Sequence, residues 1–384
     1  MKVKIQRGEL LKGLLRLQGV VERRNTMPIL GHVFIETDAD AITLFATDLE
    51  IGIKSAYPAK VLDKGAMTIA GRKFYEIIRE IPEGEVHLEE LENHWVLIES
   101  GQSRFKIMGL PAQEYPVKPP SPQDPLLRIP HGVLSELIQK TLFAVGENDA
   151  RYILNGVLFE LRAVGDHRYS LRLVGTDGHR LAMIEREFES QKPAASSASG
   201  GGQGAGDEVS VIIPKKTLLE IKRLIEEDEQ EPEVGFTKNQ LLFRQGKLLL
   251  LSRLMEGTYP NYQQVIPKDN DKHVRVGKRP LEGALRRVSL LSREKTNAVK
   301  LQIETGKICL SSNNPEMGEA REDLPIPYRG DGLSAGFNAR YLLDILGAMS
   351  GEEAQLEFKD ALSPCLVREP QDKDYLCVVM PMRV

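Results

Sequence analysis

PILGHVFIE, residues 28–36, returns as YILNGVLFE at 152–160 and more faintly as NAVKLQIE at 297–304. The closing glutamates, Glu36, Glu160 and Glu304, stand 124 and 144 residues apart. A second series runs RKFYEII at 72–78, KKTLLEI at 215–221 and ARYLLDI at 339–345, and its Glu76, Glu220 and Asp344 stand 144 and 124 apart. The reversal means that 20 extra residues, the difference of the two spacings, lie between the two marks in the middle copy only. TLFATD ends at Asp48 and RLVGTD at Asp177, 129 residues on, so most of the extra chain follows Asp177. There stands PAASSASGGGQGAG, Pro193 to Gly206, which has no apolar periodicity and reads as a disordered loop or linker. A phosphate-cradling loop would need Gly-Lys-Ser/Thr to close it, and Lys215 lies well beyond. The chain therefore reads as three copies of a domain of about 120 residues, the second interrupted.

Each copy follows one plan. A short strand opens it and an amphipathic helix follows. Leu10, Leu11, Leu14, Leu17 and Val21 recur at helical spacing in the first copy, and Leu134, Leu137, Ile138, Leu142 and Val145 in the second. Leu281, Leu285, Val288 and Leu291 do so in the third. Strands with partial alternation follow, as at 33–35 and 42–45, then a second helix and further strands, as at 96–98 and 104–107. Two helices on a mostly antiparallel sheet make an α+β domain. The expected boundaries are 1–124, 125–267 with the insertion near 191–207, and 268–384.

The 384 residues are 41% hydrophobic and 28% charged, with a formal net charge of -4, which excludes a collagenous, disulfide-scaffold or wholly disordered chain. No stretch approaches the roughly 18 apolar residues of a membrane helix, and the N-terminus lacks a signal-peptide core. Cys309, Cys365 and Cys377, without CxxC spacing, fit buried thiols in a reducing, cytoplasmic setting.

The total charge hides a bias on the helices. Between Lys278 and Lys295 six basic residues face two acidic ones. Lys12, Arg16, Arg23 and Arg24 outnumber Glu9 and Glu22 in the first copy, and Arg72, Lys73, Arg79, Lys215, Lys216, Lys222 and Arg223 mark the second helices. On one helix this is a solvated face. Repeated in three copies, it suggests a surface meeting phosphates through weak, sequence-independent contacts. Aromatic residues are only 6% and do not interleave with the basic runs, so base stacking is not signalled.

Thr176-Asp177-Gly178-His179-Arg180 is the one cluster that resembles chemistry, since Asp beside His can orient a general base. No nucleophile elbow, HExxH or metal loop accompanies it. Thr-Asp recurs at Thr47-Asp48 without a histidine. A turn whose Asp bonds local backbone, leaving His179 and Arg180 exposed for binding, explains the recurrence better than an acid–base enzyme using Asp177 and His179. No catalytic residue, metal ligand or cofactor is expected.

TMPILG at 26–31, RYILNGVLFE at 151–160, TDGHRLA at 176–182, EGTYPNYQQVIP at 256–267 and VVMPMR at 378–383 together resemble the bacterial DNA polymerase III β subunit family, the sliding clamps. The resemblance spans the chain. It implies three clamp-type domains, a head-to-tail dimer closed into a ring, and a non-enzymatic processivity factor around duplex DNA. The replicative polymerase, the clamp loader and other clamp-binding proteins would dock through short peptides, with ATP use left to the loader.

By motif, the partner-peptide pocket would comprise Leu154, Thr176, Gly178, His179, Arg180, Leu181, Pro260, Val265, Asn338, Tyr341 and Leu362. The tail Val378, Val379, Met380, Pro381, Met382 and Arg383 would complete it. DNA-facing positions implied are Arg24, Arg72, Lys73, Asn148 and Tyr152. The implied ring interface sets Phe105 and Ile107 against Leu290 and Leu291 of the next subunit. Gln264 stands where the family often has arginine, and Ile153 where a second tyrosine can occur. A sequence-independent DNA-binding protein that forms no ring is the remaining alternative.

Overall fold

The computed structural model describes residues 1–21, 27–116, 126–147, 149–191, 208–293 and 296–383. The Gly/Ser insertion, Arg24 and Asn148 lie outside these residues. Each copy contributes two helices, as expected: α1 (Arg7–Leu17) and α2 (Gly71–Glu80), α3 (His131–Leu142) and α4 (Lys215–Glu227), α5 (Lys278–Ser289) and α6 (Ala339–Ala348). In α1, Leu10, Leu14 and Leu17 bury one face, each worth about 1.5–3 kcal/mol of removed apolar surface. The helix stops at Leu17, short of Val21, where the Gln18 side-chain amide turns back to the Leu14 carbonyl (3.2 Å) and Gly19 follows.

The described residues gather into two compact units, each built from parts of two copies. One takes its elements from Met1–His131 and Arg223–Leu254. The other draws on Gly132–Ser190, the strand Glu208–Pro214 and Met255–Val384.

In the first unit a five-stranded sheet runs Lys60–Asp63, Lys2–Gln6, Glu85–Glu90, Trp95–Ser100, Ser103–Met108. Val3 and Ile5 point inward, while Lys2 and Lys4 pair outward with Glu89 (3.0 Å) and Glu85 (2.7 Å). Its eight-stranded sheet joins two copies. Leu127–Arg128, Glu233–Phe236, Gln240–Gln245 and Leu248–Arg253 of the second continue into Ile51–Pro58, Ala41–Thr47, His32–Thr37 and Ala66–Ala70 of the first. The seam is antiparallel, with Leu250 opposite Ile53.

The second unit repeats the device. Glu208–Pro214, Gly156–Gly165, Arg168–Thr176 and Arg180–Glu189 of the second copy continue into Asp372–Val379, Cys365–Glu369, Glu353–Phe358 and Lys272–Gly277 of the third. Leu181 stands opposite Val378 at that seam. A four-stranded sheet runs Gly318–Pro325, Lys307–Asn314, Ala298–Glu304, Leu333–Asn338. Ser103–Met108 and Gly318–Pro325 each end their sheet with an unpaired edge.

All three cysteines are buried free thiols, and burial pushes Cys377 up to about 12. No helix among the described residues is long and apolar enough to cross a membrane.

Candidate functional site

The Thr176–Arg180 turn links two antiparallel strands of the second unit. Asp177 Oδ1 accepts from the backbone N–H groups of His179 and Arg180, both at 2.9 Å. The Thr176 hydroxyl accepts from Gly178 N–H (3.0 Å) and donates to the Arg180 carbonyl (2.6 Å). Gly178 sits at φ +81°, which glycine adopts without steric cost. The first copy builds the same turn. Asp48 Oδ1 accepts from Glu50 (2.9 Å) and Ile51 (2.7 Å), and Thr47 bonds Leu49 and Ile51 likewise. The recurring Thr-Asp is therefore a backbone device. Asp177 Oδ2 is committed too, receiving Arg180 Nε at 3.1 Å.

His179 is exposed, as expected. Arg180 is not, and the expectation for it is corrected: its side chain is only 10% exposed. Beyond Asp177 it donates to the Asp344 carboxylate (2.6 Å) and the Phe143 carbonyl (2.7 Å), and it lies 4.5 Å from the Tyr341 ring centre. Five N–H donors on a planar fork suit such a junction better than a free contact. The His179 ring lies nearly parallel to Tyr341 at 6.5 Å.

Below the turn, Leu181 and Val378 join Leu158, Val174, Tyr259 and Tyr262 in one buried apolar cluster. Leu154 is buried in the short helical turn Tyr152–Asn155. Pro260 is exposed between the two buried tyrosines, and Val265, Leu362 and Met380 present apolar side chains to solvent, Leu362 at 78% exposure. The tail is held by its backbone. Val379 pairs with Arg180, Met380 N–H donates to the His179 carbonyl (2.8 Å), and Met382 N–H to the Gly336 carbonyl (2.9 Å). Pro381 and Met382 are half-buried and Arg383 is exposed. Asn338 caps α6, accepting from Arg340 N–H at 2.9 Å. Of the pocket residues read from the motifs, those of the 176–181 turn, the tail, Asn338 and Tyr341 thus lie on directly bonded elements. An apolar floor ringed by a few fixed polar groups has the chemistry of a peptide-binding groove.

Several contributors escaped the sequence reading. Arg151 donates to the Asp177 carbonyl (2.8 Å) and to Asp149 (2.8 Å), and its guanidinium holds the Asp149 carboxyl down to about 2. Tyr262 is anchored through its hydroxyl, which accepts from Arg172 (3.0 Å) and donates to Glu160 (3.0 Å). Both tyrosines stood in the quoted EGTYPNYQQVIP. Asp344 gave no signal, because its contact with Arg180 spans 164 residues.

Of the positions that the resemblance implies face DNA, Tyr152 is exposed, and its neighbour Ile153 packs against the apolar cluster. Arg72 and Lys73 are exposed on α2, but both pair with Glu76, at 3.2 and 2.5 Å. Lys12, Arg279, Arg286 and Arg293 are exposed and carry no ion pair among the described residues. Phe105 is exposed and Ile107 half-buried on one free edge strand, and Leu290, 76% exposed, follows α5 beside half-buried Leu291.

Comparison with known proteins accounts for the whole chain. The N-terminal, central and C-terminal domains of the DNA polymerase III β subunit match residues 1–119, 128–261 and 263–383. The beta sliding clamp of Caulobacter vibrioides is 36% identical over 386 residues, covering 100% of both chains. The crystal structure of the DNA polymerase III subunit β from Pseudomonas aeruginosa superposes with a TM-score of 0.90 at 34% identity, covering 100% of both chains. That of the Bartonella birtlesii sliding clamp bound to griselimycin gives 0.90, also at 34% and 100% of both. With all three domains matched in order along the chain, this chain belongs to the DNA polymerase III β subunit family, the bacterial sliding clamps.

Proposed function

We propose that two copies of this chain close head to tail around duplex DNA, and that the groove between Leu181, Val378 and the exposed Val265, Leu362 and Met380 captures short peptides of the replicative polymerase, the clamp loader and other partners. The protein acts in the cytoplasm as a tether and not as a catalyst. The observation that carries the groove is the tail. A strand that ends in a buried ladder and releases Met380 onto an apolar floor leaves a methionine where varied partners need an adaptable surface. Asp177, whose two oxygens hold backbone and Arg180, is poorly placed to serve His179 as an acid–base partner.

Two of the sheet edges support the ring. Leu248–Arg253 pairs with Ile51–Pro58, and Asp372–Val379 with Arg180–Glu189, so each internal seam joins the last strand of one copy to the same strand of the copy before it. The equivalent strands left over are Ser103–Met108 and Gly318–Pro325. Hairpin registers make Phe105 equivalent to Leu250, and the turns make Ala320 equivalent to Ile53. On that register Phe105 faces Ala320 of the partner subunit and Ile107 faces Gly318 of the partner subunit. Heterologous contacts of this kind close at two copies only if each subunit turns the path by half a circle.

Unpaired Lys12, Arg279, Arg286 and Arg293 would supply backbone contacts that carry no sequence information and permit sliding. After loading, the protein should stay on nicked circular duplex and run off linear duplex. Equal retention on both, falling steeply with salt, would favour the ringless DNA-binding protein. Loss of peptide binding, with the dimer intact, is expected on removing residues 380–384.

A further inference from the structure

One position of each copy's first helix carries a cation, and the three copies treat it differently. Aligning the inward pairs Leu10/Leu14, Leu134/Ile138 and Leu281/Leu285 makes Arg16, Lys140 and Arg287 equivalent. Arg16 is 6% exposed and meets Asp228 (3.1 Å) and Glu227 (3.5 Å), both from the second copy. Lys140 is 3% exposed and meets Glu369 (2.9 Å) and Asp372 (3.2 Å), both from the third. Each internal junction therefore buries a cation of one copy between acids of the next. The Arg287 side chain is 62% exposed and pairs with Glu322 of its own copy, at 2.9 and 2.6 Å.

A ring would set Arg287 against the first copy of a second chain. Four positions there correspond to the internal acids, and two of them, Gly84 for Asp228 and Ser103 for Asp372, carry no charge. Ser100 matches Glu369, since each is the last strand residue before its hairpin turn, opposite Ser103 and Asp372 respectively. Glu83 matches Glu227 when the second helices are aligned through Glu76 and Glu220. Ser100 is uncharged, and its hydroxyl already donates to the Glu85 carbonyl (3.2 Å). Glu83 is already held by Arg7 of its own copy. The same register places Arg104 opposite Arg321 of the partner subunit. Each of these arginines carries an acid from its own chain, Glu99 at 3.2 Å and Asp323 at 3.4 Å.

We propose that the junction between two copies omits the buried helix cation present at both internal junctions: Arg287, Arg104 and Arg321 are each neutralised within their own chain, and the cross-subunit charge pair the register leaves, Lys106 opposite Glu319 of the partner subunit, joins an exposed lysine on an edge strand. Parting a buried pair leaves an uncompensated charge, which is costly. A seam without a buried pair parts without that cost, so this junction separates more readily than the two internal ones. This inference rests on the ring reading.

The test uses the full chain and measures the dimer dissociation constant by sedimentation. Arg287→Met should leave it within about twofold, as removal of an exposed, intrachain pair does. Ser100→Glu, which offers an acid where the third copy has Glu369, should tighten the dimer about tenfold, and S100E/R287M should lose that gain. A tenfold weakening by Arg287→Met alone would overturn the proposal, as would a folded Ser100→Glu protein with no gain. If Ser100→Glu does not fold, the Arg287→Met result decides. A wild-type chain that stays monomeric at every concentration would overturn the ring reading itself, and the wild-type measurement separates the two failures.

Discussion

The Arg180 guanidinium donates to the Asp344 carboxylate at 2.6 Å, tying a turn of the middle copy to helix α6 of the third. Asp344→Asn preserves shape and removes the charge. It should cost about 1–2 kcal/mol, the worth of a charge-assisted hydrogen bond. Arg180→Met should cost more, because Asp177 and the Phe143 carbonyl lose their donor as well. Urea midpoints check the stability. Anisotropy of a labelled partner peptide should show weaker binding by Arg180→Met than by Asp344→Asn.

Gly178 and Leu49 occupy the same place in equivalent turns, at φ +81° and +76°. Leucine bears a left-handed cost there that glycine does not. Leu49→Gly should therefore stabilise the chain by about 1 kcal/mol, and Gly178→Ala should destabilise it by a similar amount. Thermal midpoints moving in opposite directions would bear this out, and a parallel fall would refute it.

Lys140 is the buried cation among Glu369, Asp372 and the Tyr375 ring, 4.5 Å away. Lys140→Met leaves the buried Glu369 without its cation, while Asp372 keeps Arg186. A loss of about 3–5 kcal/mol is expected. The double variant K140M/E369Q should recover part of it, since the stranded charge and not the missing contact dominates. Denaturant titration of the three proteins gives the comparison.

Arg186 binds Glu136 (2.7 Å) and Asp372 (2.5 Å) on one guanidinium. It holds the Glu136 carboxyl below its usual range. Burial pushes Asp372 up, but Arg186 and Lys140 outweigh it and Asp372 also sits low. A carboxyl with a depressed folded pKa binds fewer protons folded than unfolded. Its stabilisation is present above about pH 4 and is lost as pH falls through the folded value. Stability should therefore decline from about pH 5 to pH 3, and Arg186→Met should flatten that decline. An unchanged slope in the variant would remove the network as the cause.

The repeats were legible because each copy must bury the same faces. Leu10, Leu134 and Leu281 are fixed by helical period, and Thr47-Asp48 and Thr176-Asp177 by the backbone bonds a tight turn needs. The members of the proposed groove come from the motifs that carry the family resemblance. Local pattern says nothing about how charges pair over long separations. Arg180 read as an exposed binding residue, and tertiary structure made it a strut to Asp344. Arg16 and the basic run from Lys278 to Lys295 read as basic helix faces and Lys140 drew no reading, yet the fold sank Arg16 and Lys140 between acids of the following copy and left Arg287 paired within its own. Sequence by itself determined the three-fold plan, the secondary elements and the family, since burial period and turn chemistry are local. Only the tertiary structure decided which strands continue one copy's sheet into the next and which charges remain free, since both depend on partners more than a hundred residues away.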